Sequence, residues 1–367
     1  MRRSLALLLI APVVALTAAG AARADQVSTI GGPALAQHGV VASGAEPPKV
    51  YAQSWVLADA TTGEVLAAKN AHLQHRPAST LKTLTAVTLL PRLDKRRVYE
   101  VQWEDAAVEG SAVGIVPGAT YTIDQLFYGL MLPSGNDAAH ALASAAGGMR
   151  YTVGLMQAHA EKLQAFDTTV RNPSGLDADG QYTSAYDLAL FARAGLVRAD
   201  FRRYVGTVTT AFPGRMTKNA SKKRPTYQIY NQNPLLYTGY RGAMGVKTGY
   251  TTLAGRTFVG AAERDGHVLI VSLMGIVESS DTAAERLLDW GFAHRDRLQP
   301  VGELVNPVAR GEQKVTATAP WSTTIPTGAA DSASANGPSS IWAIALAAVA
   351  AGAVAIAAVR VRAARRR

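Results

Sequence analysis

The sequence predicts an α/β (α+β) fold in which one antiparallel sheet packs against helices. Apolar runs typical of strands occur at residues 53–68 and again at residues 243–274. The stretch between them has the three- and four-residue apolar spacing of helices. Because strands at both ends enclose a helical middle, we expect the N- and C-terminal segments of a single domain to share one sheet.

Individual elements follow from apolar spacing and from Gly, Pro and Asp residues at their ends. The first strands are predicted at residues 53–57 and 64–68, and the intervening Asp59-Ala60-Thr61-Thr62-Gly63 is typical of a hairpin turn. Helices are predicted at residues 79–90, 123–132, 137–146, 149–164, 184–194 and 281–290. Later strands are predicted at residues 243–247, 256–262 and 267–274, with a further candidate at 301–308.

The positive charge lies mainly at the two ends of the chain. The formal net charge is +10, but Arg2, Arg3 and Arg23 lie near the start and five arginines lie within residues 360–367. The rest of the chain is close to neutral, so the charge does not indicate a nucleic-acid partner. The sequence has no cysteine, which excludes stabilisation by disulfides.

The N-terminus resembles a secretory signal peptide at residues 1–24. Arg2 and Arg3 precede an apolar stretch at 5–19, and Ala22-Arg23-Ala24 fits a cleavage site with small residues. The following residues 25–49 are rich in Gly, Ala and Pro without periodicity, and we predict a linker there.

The C-terminal part predicts a membrane anchor. Residues 296–340 are rich in Pro, Ser, Thr and Ala, which predicts a stalk. Residues 341–359 carry no charge, and as a helix they would span about 28 Å, close to the thickness of a bilayer core. The basic tail at 360–367 predicts a cytoplasmic end. The expected protein is therefore exported, with its folded domain outside the membrane.

The first motif that suggests chemistry is Ser79-Thr80-Leu81-Lys82. Residues three apart on a helix lie on one face, so Lys82 can reach the Ser79 hydroxyl. A lysine whose pKa is lowered by burial can accept the proton of a serine nucleophile. The spacing alone favours a serine that caps the helix and a lysine on the surface.

The second motif is Ser134-Gly135-Asn136, between two predicted helices. Ser134 can relay a proton, and Asn136 can donate to a substrate amide carbonyl. The pattern is weak by itself, because Ser334-Ala335-Asn336 repeats it inside the predicted stalk. The setting between two helices is what favours the first copy.

The third motif is Lys247-Thr248-Gly249 on a predicted strand. Lys247 supplies positive charge, Thr248 a hydroxyl for a substrate carboxylate, and Gly249 space for a close backbone approach. Arg256 and Arg241 are further cations that are candidates to share the carboxylate with Lys247.

Together and in this order, the three motifs form the serine, S-x-N and K-T-G set of penicillin-binding proteins and class A β-lactamases. The chain resembles the D-alanyl-D-alanine carboxypeptidase family, the low-molecular-mass penicillin-binding proteins, over about residues 50–292, within a predicted catalytic domain at 50–295. Stretches that carry the resemblance include Arg76-Pro77-Ala78-Ser79, Asn172-Pro173-Ser174-Gly175-Leu176 and Leu287-Leu288-Asp289-Trp290-Gly291-Phe292. It implies the serine β-lactamase/DD-peptidase-like fold with a helical subdomain.

The resemblance also implies roles for the motif residues. Ser79 would be the acylated nucleophile and Lys82 its base, with Ser134 and Asn136 as the second catalytic pair. The substrate-binding residues would be Lys247, Thr248 and Gly249, and the oxyanion hole would be the backbone N–H groups of Ser79 and Tyr250. It implies no metal or organic cofactor, peptidoglycan stem peptides as substrate, and β-lactam antibiotics as covalent ligands.

Two departures from the family pattern are visible. Tyr250 follows Gly249 where some members carry His, although only its backbone N–H has an implied role. Many members carry a β-rich second domain, and too few residues separate Phe292 from the predicted span to hold one.

Several alternatives remain open at the sequence level. A class A β-lactamase needs a deacylating Glu in an E-x-x-L-N loop, and Glu161, followed by Lys-Leu-Gln-Ala, does not match. A DD-endopeptidase or transpeptidase would use the same residues, and an idle wall-binding module would keep the fold. His72 and His75 are predicted to be surface residues and not metal ligands.

Overall fold

A computed structural model describes residues 29–215 and 223–308. Its strands are β1 Val40–Ala42, β2 Ser54–Asp59, β3 Glu64–Lys69, β4 Val98–Glu100, β5 Thr120–Thr122, β6 Thr209–Pro213, β7 Thr226–Tyr230, β8 Ala243–Thr251, β9 Gly255–Arg264, β10 His267–Ile276 and β11 Gly302–Glu303. Its helices are α1 Lys82–Leu89, α2 Trp103–Ala106, α3 Ile123–Met131, α4 Asn136–Ala145, α5 Met149–Lys162, α6 Ala185–Leu196, α7 Ala199–Gly206, α8 Pro234–Tyr237 and α9 Ser280–His294.

The central sheet joins strands from both ends of the domain, as the sequence predicts. Its order is β1-β3-β2-β10-β9-β8, and β11 also pairs with β3. The β2–β3 hairpin and the β8–β9–β10 meander meet where β10 pairs antiparallel with β2. Among the described strands, β8 forms one edge of this sheet, which leaves one side of its backbone without a strand partner.

Apolar side chains cover both faces of the sheet. Alternate residues of β2 point to opposite sides of the sheet. Val56 therefore belongs to a first core, which contains residues of helices α1, α3, α4 and α6, whereas Trp55 belongs to a second core on the other side. The second core is closed by α9 through Leu287 and Leu288. The sheet is therefore the middle of three layers, and the first core holds the helical region that the sequence predicts.

Most predicted elements lie close to their expected positions, but several short ones were not predicted. The missed elements are β1, β4, β5, β6, β7, α2, α7 and α8. The β6–β7 hairpin is held to the helical region by aromatic packing, with the rings of Tyr121 and Phe212 stacked 5.4 Å apart. Short elements of this kind have too few residues to show a period.

The predicted linker at residues 25–49 is wrong for the part that the structure describes. Leu35 is only 1% exposed, and β1 pairs antiparallel with β3. The backbone N–H of Glu303 donates to the carbonyl of Gly31, so this segment also contacts β11. Because the segment is rich in Gly and Ala, its sequence gave no sign that it packs on the domain through a few specific contacts.

The predicted stalk also begins later than residue 296. Leu304 is 2% exposed, and β11 lies inside the candidate strand at 301–308. Residues 1–24, 309–340, 341–359 and 360–367 lie outside the described residues, together with the signal peptide, most of the stalk, the span and the tail. Within the part that is described, no helix is both long and apolar enough to cross a bilayer.

Candidate active site

Ser79 lies on a tight turn at the start of the first helix. The turn Ala78–Leu81 is a 3-10 helix that leads into α1, so the predicted helix begins in a tighter form than expected. Ala78 has a φ of 48°, and the carbonyl of Pro77 accepts from Thr80 Oγ1 at 2.6 Å and from Thr257 Oγ1 at 2.8 Å. These contacts tie the nucleophile turn to β9.

Lys82 is fully buried directly behind Ser79. Its Nζ lies 2.8 Å from Ser79 Oγ, 2.7 Å from Asn136 Oδ1 and 2.6 Å from the carbonyl oxygen of Ser174. Burial and the nearby charge of Lys247 hold the pKa of Lys82 well below its ordinary value, while Asp137 acts in the opposite direction. Burial and the neighbouring charge therefore both favour the neutral, proton-accepting form of Lys82.

These three contacts fix the direction of the hydrogen bond to Ser79 that the neutral form of Lys82 would make. A neutral amine has two N–H donors and one lone pair. The oxygens of Asn136 and Ser174 can only accept, so they take the two N–H groups. The lone pair of Lys82 then faces the Ser79 hydroxyl, which is the arrangement that a general base requires.

The second motif forms the loop between α3 and α4 and faces Lys82. Ser134 has a φ of 65°, and its buried Oγ has no hydrogen-bond partner among the described residues. Asn136 contacts Lys82 through Oδ1, while its Nδ2 donates to the carbonyl of Glu109 at 2.6 Å. Asn136 of the predicted second pair therefore contacts Lys82, and Ser134, two residues before it, keeps an unused hydroxyl.

The third motif lies on the edge strand β8, next to the nucleophile turn. Lys247 is 1% exposed, and burial lowers the pKa of its ammonium to about 7. A register shift in β8 and a φ of 120° at Val246 precede it. The charge of Lys247 is also one of the causes of the low pKa of Lys82.

Gly249 brings the backbone of β8 against the turn that carries Ser79. A Cβ atom at this position would lie 2.8 Å from the Ser79 backbone nitrogen and 3.0 Å from that of Thr80. Only a residue without a side chain allows this approach. The Tyr250 side chain is 66% exposed, and the participation of its backbone N–H in an oxyanion hole stays a prediction.

One functional segment that the sequence did not assign is the loop at residues 172–176. Asn172 Oδ1 accepts from the backbone N–H of Ser174 at 3.2 Å and of Gly175 at 2.8 Å. This holds the Ser174 carbonyl, the third partner of Lys82, in place. The stretch was visible as part of the family resemblance, but a backbone acceptor leaves no residue-type pattern in a sequence.

Asp137 is a second residue with an unpredicted role. Its buried carboxylate accepts from the backbone N–H groups of Val113, Gly114 and Ile115 at 2.7–3.1 Å. The same loop accepts from the backbone N–H of Asn136. Asp137 thus organises the loop that positions Asn136, and its adjacency to Asn136 was the available sequence signal.

The histidines before Ser79 are not both surface residues. His72 is buried, with Nδ1 2.7 Å from Asp167 Oδ2 and Nε2 3.0 Å from the carbonyl of Ile30. The prediction of an exposed His72 is therefore wrong, and its ring helps to hold the N-terminal segment. Within residues 29–215 and 223–308, no cluster of His, Asp and Glu has the arrangement of a metal site.

Comparison with known proteins fits this geometry. A model of the D-alanyl-D-alanine carboxypeptidase family matches residues 41–277, which include all three motifs. The chain belongs to that family. Its membership confirms the resemblance inferred from the motifs and agrees with the mixed fold described above.

Relatives of this DD-carboxypeptidase family member come from several bacteria. The D-alanyl-D-alanine carboxypeptidase DacB2 of Mycobacterium tuberculosis is 40% identical over 67% of this chain and 84% of its own length. DacD of Escherichia coli is 34% identical over 67% of this chain and 64% of its own length.

Solved structures show the same fold. The crystal structure of a D-alanyl-D-alanine carboxypeptidase from M. tuberculosis has a TM-score of 0.67 and 38% identity, and it covers 72% of this chain and 99% of its own. The Streptomyces K15 DD-transpeptidase has a TM-score of 0.64 and 28% identity, with 68% of this chain and 100% of its own covered.

Proposed function

We propose that this chain is a serine D-alanyl-D-alanine carboxypeptidase that removes the terminal D-Ala of peptidoglycan stem peptides and so limits cross-linking. The observation that carries the proposal is the 2.8 Å contact between Ser79 Oγ and a buried Lys82 whose pKa lies well below its ordinary value. A nucleophile and base at this distance can form an acyl-enzyme without a cofactor.

Each step of the reaction has a candidate group in the site. Lys82 takes the Ser79 proton as Oγ attacks the carbonyl between the two terminal D-Ala residues. The backbone N–H groups of Ser79 and Tyr250 stabilise the tetrahedral oxygen, and Ser134 passes the proton to the leaving amine. Thr248 and Lys247 bind the terminal carboxylate, and water then hydrolyses the ester to release the shortened peptide and free Ser79.

Product analysis tests the proposal directly. The full chain, purified in detergent, is incubated with a muropeptide that carries a pentapeptide stem, and the products are measured by mass spectrometry. We expect loss of one alanine with the wild type and none with Ser79→Ala. Binding of the muropeptide without release would favour an idle wall-binding module instead.

Penicillin should acylate Ser79 and leave slowly. No carboxylate among the described residues is hydrogen-bonded to Ser79 or Lys82, and the oxygens of nearby Asp137 are occupied by backbone N–H groups. A water that attacks the penicilloyl ester therefore lacks a dedicated carboxylate base. A fluorescent penicillin should give a long-lived adduct that is absent in Ser79→Ala, whereas rapid turnover of nitrocefin would contradict this.

Transfer to an amine is a second candidate outcome at the same site. The Streptomyces structure is described as a DD-transpeptidase and is similar over 68% of this chain. Both reactions share the acyl-enzyme and differ only in the acceptor. Adding a peptide with a free amine as acceptor to the product assay separates hydrolysis from transfer. Cross-linked muropeptides, given as substrate in the same assay, test for endopeptidase activity.

We also propose that the protein is exported and anchored by residues 341–359, with the catalytic domain outside the membrane. The proposal rests on the apolar run, the arginines that follow it and the predicted signal peptide. A protease added to intact cells should remove the catalytic domain, and carbonate washing should leave the full chain in the membrane. A version truncated after residue 340 should be released by the wash.

A further inference from the structure

A group of cations lies at one end of the helical layer, although the chain between its two basic ends is close to neutral. The group combines the loop that follows α1 with the start of α7. Its members, which we call the basic face, are Lys95, Arg96, Arg97, Arg198, Arg202 and Arg203. Asp200 joins the two segments, because its Oδ2 lies 2.6 Å from Lys95 Nζ and 2.8 Å from Arg198 Nη2. The loop and the helix therefore form one surface.

The basic face keeps an excess of positive charge. The carboxylates that contact it are those of Asp94, Asp124 and Asp200. Six cations against three carboxylates leave a formal excess of three positive charges. Within residues 29–215 and 223–308, Arg97 and Arg202 form no ion pair; they donate to the backbone carbonyls of Ala145 at 2.8 Å and Leu196 at 2.6 Å. A neutral carbonyl holds a guanidinium in place without cancelling its charge.

Helix capping accounts for only part of the basic face. Ala145 and Leu196 are the last residues of α4 and α6, so Arg97 and Arg202 satisfy carbonyls at the C-terminal ends of these helices. Arg96 has no such task, because its side chain is 93% exposed and its nearest carboxylate oxygen, on Asp94, is 3.8 Å away. Its charge is therefore available to an anionic partner.

Two exposed valines lie within the basic face. Val98 directly follows Arg97 and is 58% exposed, and Val197 directly precedes Arg198 and is 75% exposed. Single apolar residues on a surface are ordinary, but apolar side chains placed among cations are typical of segments that bind in a membrane interface. There the cations bind lipid phosphates and the apolar side chains enter the acyl boundary. A soluble anionic polymer would use the cations alone, so the valines favour a lipid surface.

The basic face lies at the end of the helices that is away from the nucleophile. Ser79 and Lys82 lie at the start of α1, and the S-x-N loop follows the end of α3. By contrast, the Lys95 carbonyl accepts from the backbone N–H of Asp124, at the start of α3. At a rise of about 1.5 Å per residue, the 9 residues of α3 separate these two ends by roughly 13 Å. A membrane bound at the basic face therefore leaves the site at the other end open to substrate.

We propose that the basic face binds anionic phospholipid headgroups at the membrane surface, with Val98 and Val197 entering the interface. The inference goes beyond the proposed hydrolysis and does not depend on it, because the basic face shares no residue with the site. It is also separate from the proposed anchor, since binding through surface charge is weakened by salt and the insertion of an apolar span is not.

A fluorescent label at Val197 tests the proposal. The chain has no cysteine, so a single introduced cysteine takes the label at one known position. The full chain with Val197→Cys, labelled with an environment-sensitive NBD group, is incorporated into vesicles of phosphatidylcholine alone or of an equal mixture with phosphatidylglycerol. We expect blue-shifted emission and quenching by spin-labelled lipid in the mixture, and neither in phosphatidylcholine. Val277→Cys is the matched control, because Val277 is 80% exposed and lies outside the basic face, directly after β10. Its label should give the same spectrum in both membranes.

Charge reversal tests the contribution of the cations. Arg96→Glu in the Val197-labelled chain should shift the binding equilibrium toward the unbound domain on the order of 10-fold, and the quenching should fall accordingly. Lys49→Glu is a comparable reversal at an exposed lysine that lines the same groove as Val277, and it should leave the quenching unchanged. Added salt should weaken the quenching.

Equal spectra of the Val197 label in the two membranes would overturn the proposal, and so would a Val277 label that responds in the same way. Binding of soluble polyphosphate that Arg96→Glu weakens, without quenching by spin-labelled lipid, would also overturn it, because the partner would then be a soluble anionic polymer. If carbonate washing strips the chain from neutral vesicles, the proposed anchor fails; adding the labelled chain to preformed vesicles then gives the same comparison. Expected quenching in a chain that releases no alanine would contradict the proposed hydrolysis alone.

Discussion

At the scale of single residues, the site depends on lowering the pKa of one amine. Lys82 is surrounded by Asn136 Oδ1 and the Ser174 carbonyl, and its pKa is lowered mainly by burial and then by Lys247. A base acts only in its deprotonated form, so a lower pKa extends activity to lower pH. The positive charge of Lys247 thus helps Lys82 to act as a base.

This coupling predicts the pH dependence of acylation. Lys247→Gln removes a positive neighbour, which raises the pKa of Lys82, so the rising limb of the pH profile should move to higher pH. The rate of penicillin acylation is measured between about pH 5 and 9. The pH at the midpoint of the rising limb is then fitted separately from the maximal rate.

Two further variants serve as controls for that experiment. Lys162→Gln, an exposed lysine at the end of α5, should leave the midpoint in place. Lys82→Ala should abolish acylation while the circular dichroism spectrum stays native. An unshifted midpoint in Lys247→Gln would show that the two lysines are not coupled, and normal acylation in Lys82→Ala would remove Lys82 as the base.

Residue identity was the part of the site that could be predicted from the sequence. Ser79, Lys82 and Asn136 carry their chemistry in their side chains and recur at fixed spacings. The Ser174 carbonyl and the role of Asp137 could not be predicted, because a backbone acceptor and a carboxylate that binds backbone N–H groups have no spacing rule.

At the scale of elements, the nucleophile turn depends on the loop packed beneath it. Gly175 has a φ of 82°, and a Cβ there would lie 1.9 Å from the Ala78 carbonyl oxygen. Ala78 itself has a positive φ, so the turn that presents Ser79 is conformationally unusual and is held from below. The predicted helix gave no indication of this, because apolar spacing does not distinguish a 3-10 turn from the first turn of an α-helix.

Gly175→Ala should therefore damage both stability and acylation. The added methyl group clashes with backbone, which cannot rotate away, and the cost should be about 2–4 kcal/mol. Urea denaturation measures the stability and penicillin labelling measures the acylation rate.

Gly154→Ala in α5 is the matched control. A Cβ at Gly154 meets nothing within 4 Å, and alanine in a helix interior should stabilise it by about 0.5–1 kcal/mol. If Gly175→Ala behaves like this control, the loop does not support the nucleophile turn.

At the scale of the whole molecule, the two ends of the domain close on each other. Gly302 packs against Leu35, and Glu303 donates to the carbonyl of Gly31 while its own carbonyl accepts from Tyr186. Each of these segments is short and poor in periodicity, so the sequence predicted a linker and a stalk. The large sheet was predictable because its strands are long and apolar, but contacts between segments so distant in sequence were not.

Leu35→Ala should reveal whether the N-terminal segment is part of the domain. Removing a buried leucine side chain should cost about 2–5 kcal/mol in the free energy of unfolding. Val40→Ala, at a position that is 54% exposed, should change it by less than about 0.5 kcal/mol. Because Leu35 lies on the layer that holds α1 and α6, its loss should also increase amide hydrogen exchange in β11 and at the start of α6. If the segment were only a linker, both variants would show the same small change in the free energy of unfolding.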